Sequence, residues 1–237
     1  MHFYRSIDCI KAITFDLDDT LYDNSMIVDK AEEEMLKNLQ KYQQFENLTL
    51  DLYYQEKNVT LSLNPEIYHD VIAWRIDTIK SLLNKTNIPV SQHSKIIDGA
   101  LDCFNVWRHK MVIPESTHTL LAKLAKKYPL AVITNGNVDV NKIGLGNYFQ
   151  FSLRGGPDGR SKPFPEIFDL AAKKLAVAKN YILHVGDNLE TDVNGAINNG
   201  YLSCWINIFG QDIYHLTDAR CLPHVEITRL SELDNLL

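Results

Sequence analysis

Ile13-Thr14-Phe15-Asp16-Leu17-Asp18-Asp19-Thr20-Leu21 is an apolar run that breaks into three carboxylates within four residues. Ala12 to Phe15 reads as a short buried strand. A buried strand ending in Asp-Leu-Asp-Asp makes little sense as packing, because a buried charge must be paired or bound to a metal. It makes sense if the strand delivers carboxylates to a cation at its carboxyl end. Side chains alternate along a strand, so Asp16 and Asp18 start on the same face. The expectation is a nucleophile at Asp16, an acid/base partner at Asp18 and a divalent cation between them.

After Leu21 the texture changes. From Ser25 to about Lys110 there is almost no Gly or Pro, and apolar residues recur at helical spacing: Ile27, Ala31, Met35 and Leu39, then Ile67, Val71, Trp74, Ile79 and Leu82. Asn64 and Pro65 read as cap and first residue of the second helix, and Ser91 as the cap of a third. Three or four helices with no strand between them predict a separate helical unit over residues 23–110.

From Met111 onward strands alternate with helices. Leu130-Ala131-Val132-Ile133 is a short buried strand ending at Thr134-Asn135-Gly136, and Phe149 to Leu153 is a further candidate. Pro165 to Leu175 is amphipathic helix. Tyr181 to Val185 is a strand ending at Gly186-Asp187, followed by strands over Leu202 to Ile206 and Val225 to Ile227. Alternation of this kind predicts an α/β fold, a parallel Rossmann-like sheet with helices on both faces, built from residues 1–22 and 111–237. In such sheets ligands bind outside the carboxyl ends of the strands. Asp16 and Asp18, Thr134-Asn135-Gly136 and Gly186-Asp187 all fall there.

Composition narrows the partners. The chain has 237 residues, 45% apolar and 23% charged, with a formal net charge of −6 and pI near 5.7. That balance offers no electrostatic footprint for nucleic acid or an anionic membrane, so an anionic substrate must be drawn in by a local cation. Cys9, Cys103, Cys204 and Cys221 are scattered and carry no Cys-x-x-Cys spacing. The first residues lack the apolar core of a signal peptide, and no apolar run reaches the ~20 residues of a membrane span. Reduced thiols and a cytoplasmic protein are expected, with a small phosphorylated metabolite as partner.

The residue types on the rim suit phosphoryl transfer. A carboxylate attacking a phosphate dianion needs its charge neutralised, which Mg2+ held by carboxylates achieves. Asp16 would attack, while Asp18 would protonate the leaving oxygen and later deprotonate the water. Thr134, Asn135 and Gly136 can offer a hydroxyl and backbone N–H groups to phosphate oxygens, although Thr-Asn-Gly by itself is more often a turn. Lys162, before Pro163, could aim a positive charge into the site, with Arg154 and Arg160 as alternatives; a surface lysine is otherwise solvated. Asp187 is the natural further metal ligand. Asp192 would bind a metal-bound water or serve as a helix cap. His184, within a strand, reads as a packed core histidine. Tyr68, Trp74, Arg75, Trp107 and Arg108 could face a substrate, though helical aromatics are usually core.

Asp16-Leu17-Asp18-Asp19-Thr20, Thr134-Asn135-Gly136, Lys162-Pro163 and Gly186-Asp187 followed by Asp192 resemble the four ordered motifs of the haloacid dehalogenase superfamily. The resemblance implies a Rossmann-like core with a small α-helical cap domain inserted after the first motif. It also implies Asp16 as nucleophile, Asp18 as proton donor, and Mg2+ (or another divalent cation such as Mn2+) held by Asp16, the backbone carbonyl of Asp18, and Asp187. Asp19 departs from the pattern, since the family usually has Gly there. Expulsion of halide needs no acid, so an acidic residue at Asp18 points to the phosphatase branch. More narrowly, residues 12–23, 65–71, 159–164 and 182–187 resemble bacterial phosphatases acting on flavin mononucleotide and on the phosphorylated ribitylaminouracil precursor of riboflavin.

The expectation is therefore a Mg2+-dependent phosphomonoester hydrolase for small metabolites in riboflavin metabolism. A phosphomutase or sugar-phosphate phosphatase of the same superfamily is the alternative enzyme reading. A catalytically silent binding protein is the third, and the intact set of Asp16, Asp18, Thr134, Lys162 and Asp187 argues against it.

Overall fold

The computed structural model describes residues 1–236. The chain divides into two compact units, Met1–Asp23 with Val112–Leu237, and Asn24–Met111. The first holds one seven-stranded sheet: β1 (His2–Phe3), β2 (Ala12–Phe15), β3 (Leu130–Thr134), β4 (Ser152–Arg154), β5 (Ile182–Gly186), β6 (Leu202–Ile206) and β7 (Val225–Ile227). Their order across the sheet is β1-β7-β6-β5-β2-β3-β4, and every pairing except β1 with β7 is parallel. Every residue of β2, β3, β5 and β6 is buried. Continuous apolar runs rather than alternating ones are what a parallel strand covered on both faces requires. The chain moves outward from β2 to β3 and β4, then returns across β2 to β5 and continues to β7. The direction of winding thus reverses beside β2, the position where such sheets open a crevice at their carboxyl ends. The exposed antiparallel strand β1 is too short to carry a periodic signal, and nothing in the sequence announces it.

Unit Asn24–Met111 is all helical: α1 (Ile27–Leu39), α2 (Leu50–Leu63), α3 (Val71–Asn84) and α4 (Val90–Arg108). Ala31, Met35, Leu39, Ile79, Leu83, Ile96, Ala100 and Phe104 form its core at the spacing of helix faces. Each fully buried Leu or Ile contributes about 1.5–3 kcal/mol as an upper estimate. Two helix starts differ from the sequence reading. Pro65–His69 forms a separate 3-10 turn, and α3 begins after Asp70, whose carboxylate accepts from the Ile72 and Ala73 N–H groups at 3.0 and 2.9 Å. Asp at this position satisfies two orphan donors, which Asn64, six residues upstream, cannot reach. Ser91 does not cap α4, which starts at Val90 after Pro89.

In the sheet unit, α5 (Glu115–Leu124), α6 (Pro165–Leu175) and α7 (Gly195–Asn198) complete the fold. Ile167, Phe168, Ala171 and Leu175 of α6 pack on Ala131, Ile133 and Leu153, a 3–4 spacing laid against a spacing of two. A π-helical turn, Leu189–Asn194, leads into α7, with the Asn188 side chain accepting from the Glu190 and Thr191 N–H groups. Among the described residues no helix is long and apolar enough to cross a membrane. The four cysteines are free.

Candidate active site

β2 lies between β3 and β5. The carboxyl ends of these three adjacent strands carry Asp16, Thr134 and Asp187, so residues far apart in the chain meet on one rim. The Asp16 N–H donates to the Val185 carbonyl at 2.9 Å, extending the ladder to the last residue before the carboxylate turns into the crevice.

Lys162 arrives from the segment between β4 and α6. It is 1% exposed, and its ammonium donates to Asp16 Oδ1 and to Asp192 Oδ1, each at 2.6 Å. Its backbone is held at both polar groups by Asn135: the Lys162 N–H donates to Asn135 Oδ1 at 2.8 Å, and Asn135 Nδ2 donates to the Lys162 carbonyl at 2.9 Å. A side-chain amide is the only short group that can accept and donate in this way. The amide of Asn135 is thus committed to placing Lys162, and what Asn135 can offer an anion is its backbone N–H. The Gly136 N–H donates to Thr134 Oγ1 at 3.0 Å, which engages an oxygen lone pair and leaves the hydroxyl proton to donate elsewhere. Arg160 pairs with Glu166 on the surface, at 2.5 Å, and is not the cation beside Asp16.

Asp192 is 2% exposed and saturated with donors: Lys162 and His184 Nε2 (3.1 Å) on Oδ1, and the Asn188 N–H (3.0 Å) on Oδ2. Burial opposes its charge, yet Lys162 and the His184 hydrogen bond hold its carboxyl far below the ordinary range. An ionised carboxylate only accepts, so His184 Nε2 carries the proton and Nδ1 accepts from Thr14 Oγ1 at 2.9 Å. Burial pushes the His184 imidazole down, and its hydrogen bond to Asp192 offsets part of that, so the ring is neutral at pH 7. His184 is buried as the sequence suggested, but it is also a link in the polar network.

Asp16 is less well served. Burial pushes its carboxyl well above the ordinary range, Asp192 and Asp18 add to that, and Lys162 pulls it back. Two buried carboxylates compete for one ammonium, and Asp192, with three donors, takes the larger share. Burial, then the negative charges of Asp192 and Asp19, raise Asp187 to about 7. Its Oδ1 accepts from Thr20 Oγ1 at 3.3 Å, and Trp205 Nε1 donates to its carbonyl at 2.8 Å. One oxygen each of Asp16, Asp187 and Asp192 lies within 4.8 Å of the others. These are hard oxygen donors, with the ionisation of Asp16 and Asp187 held back first by burial and then by neighbouring carboxylates, and they form a set that could hold a divalent metal ion. The Asp18 carboxylate takes no part in this set; Tyr22 Oη donates to its Oδ1 at 2.7 Å.

Asp19 adopts a left-handed backbone, φ 56°. Such a conformation favours Gly and tolerates Asp, which accounts for an acidic residue at this point of the motif. Gly186 has a different reason to be glycine. A Cβ there would sit 2.2 Å from the Asp192 carboxylate carbon.

Several helical residues considered as substrate contacts are committed inside their own unit. Arg75 donates to Glu32 at 3.2 Å and stacks on Phe104 at 3.6 Å; Arg108 donates to Asn24 at 2.9 Å; Trp74 Nε1 donates to the Lys57 carbonyl at 2.9 Å. Trp107 carries the Lys110 ammonium over its ring at 3.5 Å, and Tyr68 is exposed.

Residues 10–200 match the family described as haloacid dehalogenase-like hydrolase. Over 241 aligned residues, covering 100% of both chains, the sequence is 44% identical to the 5-amino-6-(5-phospho-D-ribitylamino)uracil phosphatase YigB of Escherichia coli. It is 27% identical to the N-acylneuraminate-9-phosphatase of Homo sapiens, over 96% of this chain and 94% of the relative. Among solved structures, a 2-haloacid dehalogenase from Pseudomonas syringae is similar with TM-score 0.88 and 31% identity, over 96% of this chain and 97% of that one.

Proposed function

The chain belongs to the haloacid dehalogenase-like hydrolases and is a phosphatase, and from that premise we propose that it dephosphorylates 5-amino-6-(5-phospho-D-ribitylamino)uracil through an aspartyl-phosphate on Asp16. The substrate assignment is supported by the full-length similarity to YigB. The chemistry is carried by one observation: a buried carboxylate at a strand end, 2.6 Å from the ammonium of a lysine that is itself buried.

Asp16 attacks phosphorus in line with the ribityl oxygen. As that P–O bond breaks, Asp18 gives its proton to the leaving oxygen; it then removes a proton from the water that attacks the phosphorus of the intermediate and frees Asp16. The Thr134 hydroxyl and the backbone N–H of Asn135 donate to the equatorial phosphate oxygens, where charge is spread in the transition state. Lys162 lowers the repulsion between the nucleophile and the phosphate. Asp16, Asp187 and the backbone carbonyl of Asp18 would hold Mg2+, which when bound neutralises nucleophile and phosphate together. Asp192 and His184 keep Lys162 aimed. Within this reading the helical unit is the cap domain.

The similarity to a 2-haloacid dehalogenase raises a second reading, in which Asp16 displaces halide. Halide needs no proton to leave, so that reading gives no use to the Asp18 carboxylate and its hydrogen bond from Tyr22. A panel of phosphorylated metabolites ranked by kcat/KM, including the ribitylaminouracil phosphate, flavin mononucleotide and sugar phosphates, tests the assignment with and without EDTA. The expected result is EDTA-sensitive phosphate release with the ribitylaminouracil phosphate ranked first. A flat ranking overturns the substrate, and release that EDTA leaves untouched overturns the metal. Asp16→Asn is expected to abolish turnover with the fold intact.

A further inference from the structure

The phenol of Tyr22 lies beside the acidic segment that follows β2. Its ring is 4% exposed, and its hydroxyl meets Asp18 Oδ1 at 2.7 Å. The turn that brings it there is closed at several points. The Thr20 and Leu21 N–H groups both donate to the Leu17 carbonyl, at 3.3 and 2.9 Å, Asp18 and Tyr22 form a backbone bridge, and Thr117 Oγ1 of α5 donates to the Leu21 carbonyl at 3.1 Å. Leu17 and Leu21 are themselves buried. A tyrosine whose ring and flanking backbone are both fixed loses little side-chain entropy in making its hydrogen bond.

We propose that Tyr22 is a positioning residue for Asp18, setting the orientation from which that carboxyl protonates the leaving oxygen. This inference rests on the phosphatase reading above. A phenol O–H is a donor to the carboxylate, and it occupies Oδ1. A donor on Oδ1 favours the proton that Asp18 delivers being carried on Oδ2, and it ties the carboxyl to the buried Tyr22 ring. Removing the phenol takes away a 2.7 Å hydrogen bond that orients the Asp18 carboxyl, and the population aimed at the leaving oxygen falls. Proton transfer is steep in geometry, since the donor must lie within hydrogen-bond reach of the oxygen it serves. The consequence is selective: an alkoxide leaving group, such as the ribityl oxygen, needs the proton, whereas a stabilised phenolate leaves with little help.

The test compares wild type, Tyr22→Phe and Asp18→Asn on ribitol 5-phosphate and p-nitrophenyl phosphate. Tyr22→Phe keeps the ring and its packing. The ratio of kcat/KM for two substrates in one preparation is independent of the fraction of enzyme that is folded, so partial unfolding cannot imitate the effect. Tyr22→Phe is expected to lower kcat for ribitol 5-phosphate by about tenfold with KM nearly unchanged, and to lower it for p-nitrophenyl phosphate by less than about threefold. Asp18→Asn is expected to show the same selectivity, larger in size. Equal losses on both substrates in Tyr22→Phe, or no loss on either, overturn the positioning role. If Asp18→Asn itself fails to discriminate between the substrates, Asp18 is not the leaving-group acid, and the phosphatase mechanism falls together with the role of Tyr22. Selectivity in Asp18→Asn without selectivity in Tyr22→Phe removes Tyr22 alone.

Discussion

Gly186 and Asp192 are so closely apposed that a Cβ on Gly186 would meet the Asp192 carboxylate carbon at 2.2 Å and one of its oxygens at 2.4 Å. The glycine at the end of β5 is therefore a space requirement of a side chain six residues away, and that side chain anchors Lys162. Gly186→Ala is expected to push Asp192 off Lys162 and His184. Overpacking of this kind costs about 1–3 kcal/mol. Turnover is expected to fall by at least about tenfold, because Lys162 loses its second carboxylate. Thermal unfolding and kcat measured together check this; an alanine variant with wild-type Tm and kcat would show that the segment relaxes freely.

The Thr14 hydroxyl is buried and bonded to His184 Nδ1 at 2.9 Å. Thr14→Val preserves the shape of the side chain and leaves that ring nitrogen without its donor. A buried polar group deprived of its partner costs about 1–3 kcal/mol. Urea unfolding is expected to show a loss in that range for Thr14→Val and a smaller one for Thr14→Ser, which keeps the hydroxyl. An unchanged stability in Thr14→Val would show that the hydrogen bond contributes nothing.

Divalent cation binding should be visible in the absence of any substrate. The repulsion among Asp16, Asp187 and Asp192 is present in the folded chain only, so a cation that relieves it binds the native state. Wild-type Tm is expected to rise with Mg2+, corresponding to about 2.7 kcal/mol at a hundredfold excess over Kd. Asp187→Asn is expected to be at least as stable as wild type without Mg2+ and to lose most of the Mg2+ response. An undiminished response in that variant would place the cation elsewhere.

Acid stability offers a separate check in the helical unit. Glu56, nearly buried on α2, accepts from Ser81 Oγ and the Lys85 ammonium. Burial acts to raise its pKa, but Lys85 and Ser81 together pull it below the ordinary 4.5. A carboxyl depressed in the folded state stabilises it fully above its unfolded pKa, and that contribution disappears as pH falls through the lower folded value. Wild type is therefore expected to be more stable than Glu56→Gln near neutral pH, with the gap narrowing below pH 4.5. Lys85 is largely exposed, which keeps the gap modest. Melting curves of both proteins from pH 7 to pH 3 decide it, and a gap that stays constant across that range would remove Glu56 from the acid response.

Much of the fold is legible because its signals are local. Continuous apolar runs at Ala12–Phe15, Leu130–Thr134 and Ile182–Gly186 read as buried strands, and helical spacing separates the insertion from them. The misreadings are also local. Asn64-Pro65 looks like a helix start, but the chain turns once in a 3-10 turn before Asp70 caps α3. Arg75 looks available to a ligand until Glu32, from another helix, accepts from it.

The amino-acid order alone determined which groups reach the rim. Strand alternation and the polar residues that end each apolar run depend only on near neighbours, so Asp16, Asp18, Thr134 and Asp187 could be picked out without a structure. What each group touches there was decided by tertiary contacts between residues 146 and 170 positions apart, Lys162 with Asp16 and Thr14 with His184. Hydrogen bonding needs donor and acceptor within about 3 Å, and no spacing along the chain specifies that. The clamp of Asn135 on Lys162, the saturation of Asp192 and the reason for Gly186 exist only once the strands have brought their ends together.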